Sequence, residues 1–122
     1  MRLDISIVQQ NGYVEITLIG EPNGDRFNAS RAEANELMQK TGCTALLVDA
    51  TGLTGMLPVL TDFEFTTEHT TQLPKGTRHA VVVNPEHTER MLFVEDVAQN
   101  RFIDLKIFTD RSEALRWLVD KP

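Results

Sequence analysis

The sequence predicts an α/β fold: an N-terminal β-hairpin followed by three further βα-type units, which form a mixed five-stranded sheet with about four helices. Residues 3–18 alternate apolar and polar side chains on either side of an Asn-Gly pair, which is typical of a hairpin. Two later runs, residues 45–48 and 80–83, are apolar throughout, as strands covered on both faces are. Stretches with helical spacing separate these runs, as parallel strands require.

The hairpin turn is predicted at Asn11 and Gly12. This pair favours a type I′ turn, because both central residues of that turn have positive φ. The apolar residues on either side of the turn belong to two antiparallel strands, and we expect their apolar faces to point the same way. They are Leu3, Ile5 and Ile7 before the turn and Val14, Ile16 and Leu18 after it.

A first helix is expected after the turn-forming residues 21–25. It can begin at Asn28 or at Ser30, and Ser30 with Glu33 matches a capping box, in which each side chain bonds the other residue's backbone N–H. Gly42 stands where a left-handed C-cap is expected. The helix therefore ends directly before the run at residues 45–48.

Residues 57–73 connect the two apolar runs and are predicted to form a second helix. Pro58 suits a first helical turn, and two parallel strands need a crossover of about this length. Several threonines lower the helix propensity, and Phe63-Glu64-Phe65 alternates like a strand. Helix is nevertheless the interpretation that a parallel sheet favours.

The last third of the chain predicts a helix, an edge strand and a final helix. Asn84 and Pro85 have the chemistry of a helix start, residues 103–107 alternate, and Asp110 with Glu113 suits a second N-cap. The apolar stripes of the two helices are Met91, Val94 and Ala98 in the first, and Ala114, Leu115, Leu118 and Val119 in the second, with Trp117 beside them.

Composition limits the classes of partner. The chain has 122 residues, from which we expect one domain over residues 1–122, and its formal net charge of −6 disfavours nucleic acid and anionic lipid. No apolar run approaches the roughly 18 residues that cross a bilayer, and the N-terminus has no secretory pattern. With Cys43 as the one cysteine, a cytoplasmic protein is expected.

Residues in the middle and at the end of the chain follow one family pattern. The middle reads Asp-x-Thr-Gly-Leu before a phenylalanine-containing stretch, and the end reads Phe-x-Asp-x-x-x-Ala-x-x-Trp-Leu. The matching residues are Asp49, Thr51, Gly52, Leu53, Phe63, Phe65, Phe108, Asp110, Ala114, Trp117 and Leu118. In this order and spacing the chain resembles the STAS-like domains, the group of the bacterial anti-sigma factor antagonists with the SpoIIAA-like fold. It is most similar to the short, stand-alone STAS/SEC14-like branch.

The resemblance implies a regulatory or binding module. In the antagonists an Asp-Ser-(Ser/Thr)-Gly motif after the central strand carries the serine that a partner kinase phosphorylates. Here residues 54–58 read Thr-Gly-Met-Leu-Pro, and the nearest hydroxyls belong to Thr51 and Thr54. We therefore expect the fold and the docking role without the phosphoserine switch.

The candidate site lies where the parallel strands end, because ligands of such sheets bind beyond the carboxyl ends of the strands. Polar residues at these ends are Asp49, Thr51, Asn84, Glu86, His87, Thr109 and Asp110. Asp49, Thr51, Thr54 and Asn84 are the predicted contact residues. The pattern favours a local role over a contact role: Asp49 would cap its own loop, and Asn84 and Asp110 would cap helices.

Phe63 and Phe65 complete the predicted site. On one helix they lie about 200° apart, so they cannot both face the core. Together with the apolar residues 57–60 they would line a groove for a lipid-like ligand or a partner surface. The alternative is that both fill the core around an imperfect helix.

The function indicated is a non-catalytic module that docks a protein partner or a small apolar ligand, and homodimer formation is also compatible with the sequence. No catalytic residue, cofactor or metal ligand set is predicted, since His69, His79 and His87 are isolated and no nucleotide-binding or nucleophile motif is present. Two alternatives stay open. One is a receiver-like domain phosphorylated at Asp49, and the other is a small enzyme using Glu64, Glu68 and His69.

Overall fold

The computed structural model describes residues 3–55, 76–100 and 103–119. The predicted second helix at residues 57–73 lies outside the described residues, and so do Phe63 and Phe65. Within the described residues, no helix is long and apolar enough to cross a membrane.

Five strands form one mixed sheet, as predicted. They are β1 (Leu3–Gln10), β2 (Tyr13–Gly20), β3 (Ala45–Leu53), β4 (Arg78–Val82) and β5 (Asp104–Phe108), in the order β1-β2-β3-β4-β5. The β1 strand pairs antiparallel with β2, and β2, β3, β4 and β5 pair in parallel. Gln10 pairs with Tyr13, which confirms a two-residue turn at Asn11 and Gly12.

The described residues contain three α-helices, whereas about four were predicted for the whole chain. They are α1 (Gly24–Thr41), α2 (Thr88–Asn100) and α3 (Arg111–Val119), and a single 3-10 turn at Pro85–His87 precedes α2. The α1 and α2 helices pack on one face of the sheet and α3 packs on the other. The prediction of a βα pattern after the hairpin agrees with this arrangement.

The α1 helix begins earlier than predicted. Its N-cap is Asn23, whose side chain accepts a hydrogen bond from the backbone N–H of Arg26 (3.0 Å), so a start at Asn28 or Ser30 was wrong. Ser30 lies inside the helix, where its hydroxyl donates to the carbonyl of Phe27 (2.7 Å). At the other end Gly42 is the left-handed C-cap, with φ of 72°, which confirms that prediction.

The core has two layers, one on each face of the sheet. Leu46 and Val48 of β3 contribute to the α1/α2 layer and Leu47 contributes to the α3 layer. This double burial confirms that β3 is a central strand. In α3, Ala114 and Leu118 face the core as predicted, whereas Val119 is 43% exposed, so the prediction of an inward Val119 was wrong.

Two polar contacts hold α3 to the sheet. Arg111 Nη2 donates to Glu15 Oε1 across 2.7 Å, and this hydrogen bond raises the pKa of Arg111. Arg78 places its guanidinium carbon 4.0 Å from the ring centroid of Trp117, and its Nε lies 3.3 Å from an Asp104 carboxylate oxygen. The one helix described on this face is therefore fixed to both the β2 and the β4–β5 side of the sheet.

The β3 strand runs past its predicted end to Leu53. Thr17 pairs with Asp49 and Ile19 pairs with Gly52, so β3 accommodates one more residue than β2 over this interval, as in a β-bulge. At Gly52 the two backbones approach so closely that a Cβ atom would lie 2.9 Å from the Leu18 carbonyl oxygen. The glycine is required for this pairing.

Replacing Gly52 by alanine is expected to destabilise the fold by about 1–3 kcal/mol, because the new methyl group must displace backbone. Gly55→Ala is the matched control: no atom lies within 4 Å of a Cβ built there, and a change below about 0.5 kcal/mol is expected. Urea unfolding followed by circular dichroism measures both. Equal midpoints for the two variants would show that the contact at Gly52 relaxes freely.

Candidate functional site

The candidate site lies at the carboxyl edge of the sheet, where β4 stops and β3 continues. Asp49 and Val82 are the last residues that pair between these two strands. Among the described residues, β3 pairs with β2 alone from Ala50 to Leu53, and no described strand lies on the other side of this end of β3. The predicted polar residues follow the ends of the strands around this step.

Asp49, Thr51 and Asn84 form one connected group. Asp49 Oδ1 accepts hydrogen bonds from the backbone N–H of Thr51 (3.0 Å) and from its hydroxyl (2.7 Å). The side-chain amide of Asn84 donates to the carbonyl of Thr51 (3.0 Å). We call Asp49, Thr51, Thr54 and Asn84 the rim. Its hydrogen bonds link the end of β3 to the segment that follows β4.

Asn84 does not cap a helix with its side chain, although the sequence suggested this local role. It is the N-cap residue of the 3-10 turn by position only, since its amide is bonded to Thr51. Asp49, by contrast, does bond its own chain two residues ahead, which was the local role considered for it. Asp110 caps α3 through the backbone N–H of Ser112 (3.2 Å), as expected.

Thr54, the fourth residue of the rim, is bonded to the end of β2. Its backbone N–H and its hydroxyl both donate to the carbonyl of Gly20, at 2.8 and 3.2 Å. Thr51 and Thr54 are exposed, whereas Asp49 and Asn84 are partly buried. The arrangement thus presents two exposed threonines on a backbone held by hydrogen bonds. Phe63 and Phe65, the apolar part of the predicted site, lie outside the described residues.

The other polar residues at this edge lie outside the rim network. Thr109 is exposed, and Glu86 approaches His87 only to 4.0 Å, with no hydrogen bond recorded between them. Among the residues described, no three histidine, cysteine, aspartate or glutamate side chains come together as a metal site would require.

The sequence interpretation missed a polar pair in the protein interior. His79 on β4 is only 2% exposed, and Arg31 on α1 is partly buried with its Nη1 atom shielded from solvent. Burial lowers the pKa of Arg31 to about 10, so it stays cationic at neutral pH. Burial and the charge of Arg31 together lower the pKa of His79 to about 3. His79 is therefore neutral.

The sequence offered one weak signal for this pair. Arg31 precedes Ala34 and Met38 by three and seven residues, and both of these are buried, so the spacing places it near the inward stripe of α1. His79 directly precedes the apolar run at residues 80–83. Neither position indicates which helix and strand meet.

The family follows from a comparison with known proteins. The model of the SpoIIAA-like family matches residues 13–119, which is most of the chain. The chain belongs to the SpoIIAA-like family. This confirms the resemblance to STAS-like domains that the sequence motifs suggested.

Two solved structures are similar to this SpoIIAA-like protein. An anti-sigma factor antagonist from Mycobacterium paratuberculosis superimposes with a TM-score of 0.70 at 16% identity, covering 98% of this chain and 96% of the other. An uncharacterized protein of the DUF3478 family with a SpoIIAA-like fold, from Shewanella loihica PV-4, gives a TM-score of 0.55 at 22% identity, covering 95% and 93%. At these identities the likeness establishes the fold alone. No curated protein matches the sequence closely enough to count as a relative.

The buried His79 predicts how stability depends on pH. The unfolded chain takes up a proton on this residue below pH 6.5, whereas the folded protein does not until about pH 3. Acid therefore favours the unfolded state. Between these limits the free energy of unfolding is expected to fall by up to about 1.4 kcal/mol per pH unit from His79 alone.

Urea unfolding of the wild type and of His79→Asn between pH 7 and pH 4 measures this contribution. The wild type is expected to lose about 1.6 kcal/mol more than the variant on going from pH 6.5 to pH 5. Carboxylate titration is common to both proteins and cancels in the difference. Parallel stability curves would contradict a neutral, buried His79.

Proposed function

We propose that this SpoIIAA-like protein is a non-catalytic module that docks a protein partner through the rim. The observation that carries the proposal is the hydrogen-bonded group of Asp49, Thr51 and Asn84. Thr51 of this group is exposed, and so is Thr54. A surface already held in one conformation pays less ordering entropy when a partner binds. One structural relative is named as an anti-sigma factor antagonist, and this name favours a protein partner.

The charge of the chain supports a partner with a basic surface. The formal net charge is −6, so long-range attraction favours a cationic partner and opposes an acidic one. At the rim itself, the hydrogen bonds recorded for Asp49 among the described residues use Oδ1. Oδ2 keeps its capacity to accept a hydrogen bond from an arginine, a lysine or a backbone N–H of the partner.

The module is proposed to work without a phosphoserine switch. The chain has serines only at positions 6, 30 and 112, and none lies in the rim. The hydroxyls of Thr51 and Thr54 donate to Asp49 and Gly20 of the same chain, where they serve the local structure. The alternative occupant that the sequence predicts is a small apolar ligand in contact with Phe63 and Phe65.

We also treat residues 1–122 as one domain, because strands from both halves of the chain join one sheet. The free thiol of Cys43 fits a reducing compartment, which supports a cytoplasmic module. Homodimer formation would use an edge strand, and β1 and β5 are the outer strands of the described sheet. On β5 the backbone N–H of Ile107 already donates to Glu95 Oε1 (2.7 Å), which favours β1 for pairing with a second copy.

The two alternatives, a receiver-like phosphoacceptor and a small enzyme, have less support. A receiver-like role requires a free carboxylate at Asp49, whereas its Oδ1 accepts two hydrogen bonds from Thr51. Incubation with acetyl phosphate and magnesium followed by intact mass tests this role, and we expect an unmodified mass. The acid–base role of Glu64, Glu68 and His69 concerns residues outside the described ranges.

Asp49→Ala and Thr51→Lys are expected to weaken capture of the native partner by about tenfold or more, as changes at the centre of an interface do. The reason is the loss of the acceptor in the first variant and the added bulk and charge in the second. Immobilised wild-type and variant proteins are incubated with extract of the source cells. The bound proteins are then identified and quantified by mass spectrometry.

Thr44→Lys is the matched control, because Thr44 is also exposed and stands directly before the other end of β3. This variant is expected to retain the partner. Circular dichroism and urea midpoints check that all three variants fold. Partner recovery that is equal for the rim variants and for Thr44→Lys would refute docking through the rim.

A further inference from the structure

Arg31 carries a positive charge that the described protein does not balance. Its Nη1 atom is shielded from solvent and has no hydrogen-bond partner. None of the ion pairs recorded among the described residues involves this guanidinium. Removing a cation from water without a counter-charge is costly, so a group that supplies negative charge there would be bound favourably.

His79 lies close enough to Arg31 for this charge to contribute to lowering its pKa. It is buried on the same face of β4 as Val81, and the core layer to which Val81 belongs includes Ala34 and Met38 of α1. Its Nδ1 atom is buried and also lacks a hydrogen-bond partner. The neighbouring positive charge of Arg31 contributes to holding the ring neutral, so the ring cannot balance Arg31.

The two unpartnered groups have matching chemistry. A guanidinium only donates hydrogen bonds, and a neutral imidazole donates from whichever nitrogen carries its proton. With the proton on Nδ1, both residues offer a donor and neither offers negative charge. One anionic oxygen group between them would accept from both and would neutralise Arg31.

We propose that Arg31 and His79 bind the anionic oxygen group of a small ligand, a carboxylate or a phosphate, inside the protein between α1 and the sheet. The core layer on this face of the sheet, to which Ala34, Met38 and Val81 belong, is apolar. A carboxylate on a short alkyl chain therefore suits this part of the protein better than a ligand with further polar groups. This site is distinct from the rim. His79 pairs with Leu46, three residues before Asp49, which is about 10 Å along β3.

Thermal unfolding of the purified protein with increasing inorganic phosphate, and separately with increasing hexanoate, tests the proposal. A ligand that binds only the folded state raises the unfolding midpoint as its concentration rises. We expect one or both anions to raise the midpoint of the wild type. Arg31→Met should weaken that anion's apparent affinity by about tenfold or more, because the charge and the donors are lost together.

Arg26→Met is the matched control, since Arg26 lies on the same helix and is exposed. It should respond to the anions as the wild type does. A shift with phosphate alone assigns a phosphate-bearing ligand, and a shift with hexanoate alone assigns a carboxylate. Equal shifts in the wild type and in Arg31→Met would overturn the site, and so would the absence of a shift with either anion.

Two further measurements keep the test decisive if Arg31→Met does not fold. Arg31→Lys retains the charge but not the paired donors, and an affinity between those of the wild type and a non-binding protein is expected. In the wild type, the bound anion should move the NMR signals of the Arg31 Nε–H and of the His79 ring. If both signals stay unchanged at anion concentrations well above the apparent dissociation constant obtained from the thermal shifts, the anion binds elsewhere and the proposal is wrong.

Discussion

The parallel pairing of β3 with both β2 and β4 is the constraint on which the rest of the structure depends. A strand in this position must bond its backbone on two sides and must be dry on both faces. Leu46 and Leu47 are both 0% exposed although they point to opposite faces. Burial of each contributes about 1.5–3 kcal/mol, so both layers of helices are needed to keep the strand in place. Among the described residues, the helices α1 and α2 on one face and α3 on the other are the means by which the chain covers it.

The rim forms because the pairing of β3 with β4 ends at Asp49, whereas β3 itself continues to Leu53. Beyond Asp49 the strand has lost β4 as a neighbour, and the extra residue opposite Thr17 and Ile19 lets Asp49 turn its carboxylate onto Thr51. Beyond this point, two hydrogen bonds hold the backbone of residues 51–54 in place of the pairing with β4. The Asn84 side chain donates to the Thr51 carbonyl, and the Thr54 hydroxyl donates to the Gly20 carbonyl. The carboxyl end of the central strand is thus ordered and exposes the polar side chains of Thr51 and Thr54, which suits contact with another molecule better than proton transfer.

Local chemistry predicted the parts of the fold that depend on a few neighbouring residues. The Asn11-Gly12 turn, the Gly42 C-cap and the Asp110 cap all require particular side chains or backbone angles at one place, and the alternation of the hairpin requires only one buried face. The start of α1 was missed because Asn23 and Gly24 suit a turn and a helix cap equally well. The length of β3 was missed because Asp49 and Gly52 are poor strand formers, and pairing with β2 is a tertiary interaction.

The pair formed by Arg31 and His79 could not be predicted from the sequence. The two residues are 48 positions apart, and they become neighbours only when α1 packs on the sheet. Yet the pair and the rim are joined by the same two strands, because His79 and Val82 belong to β4 and Leu46 and Asp49 to β3. Any ligand that binds only the folded interior stabilises the fold by mass action. It therefore also stabilises the β3–β4 ladder beneath the rim. An anion at Arg31 would in this way favour the conformation in which Asn84 reaches Thr51, and no movement of the rim is needed for the two sites to be linked.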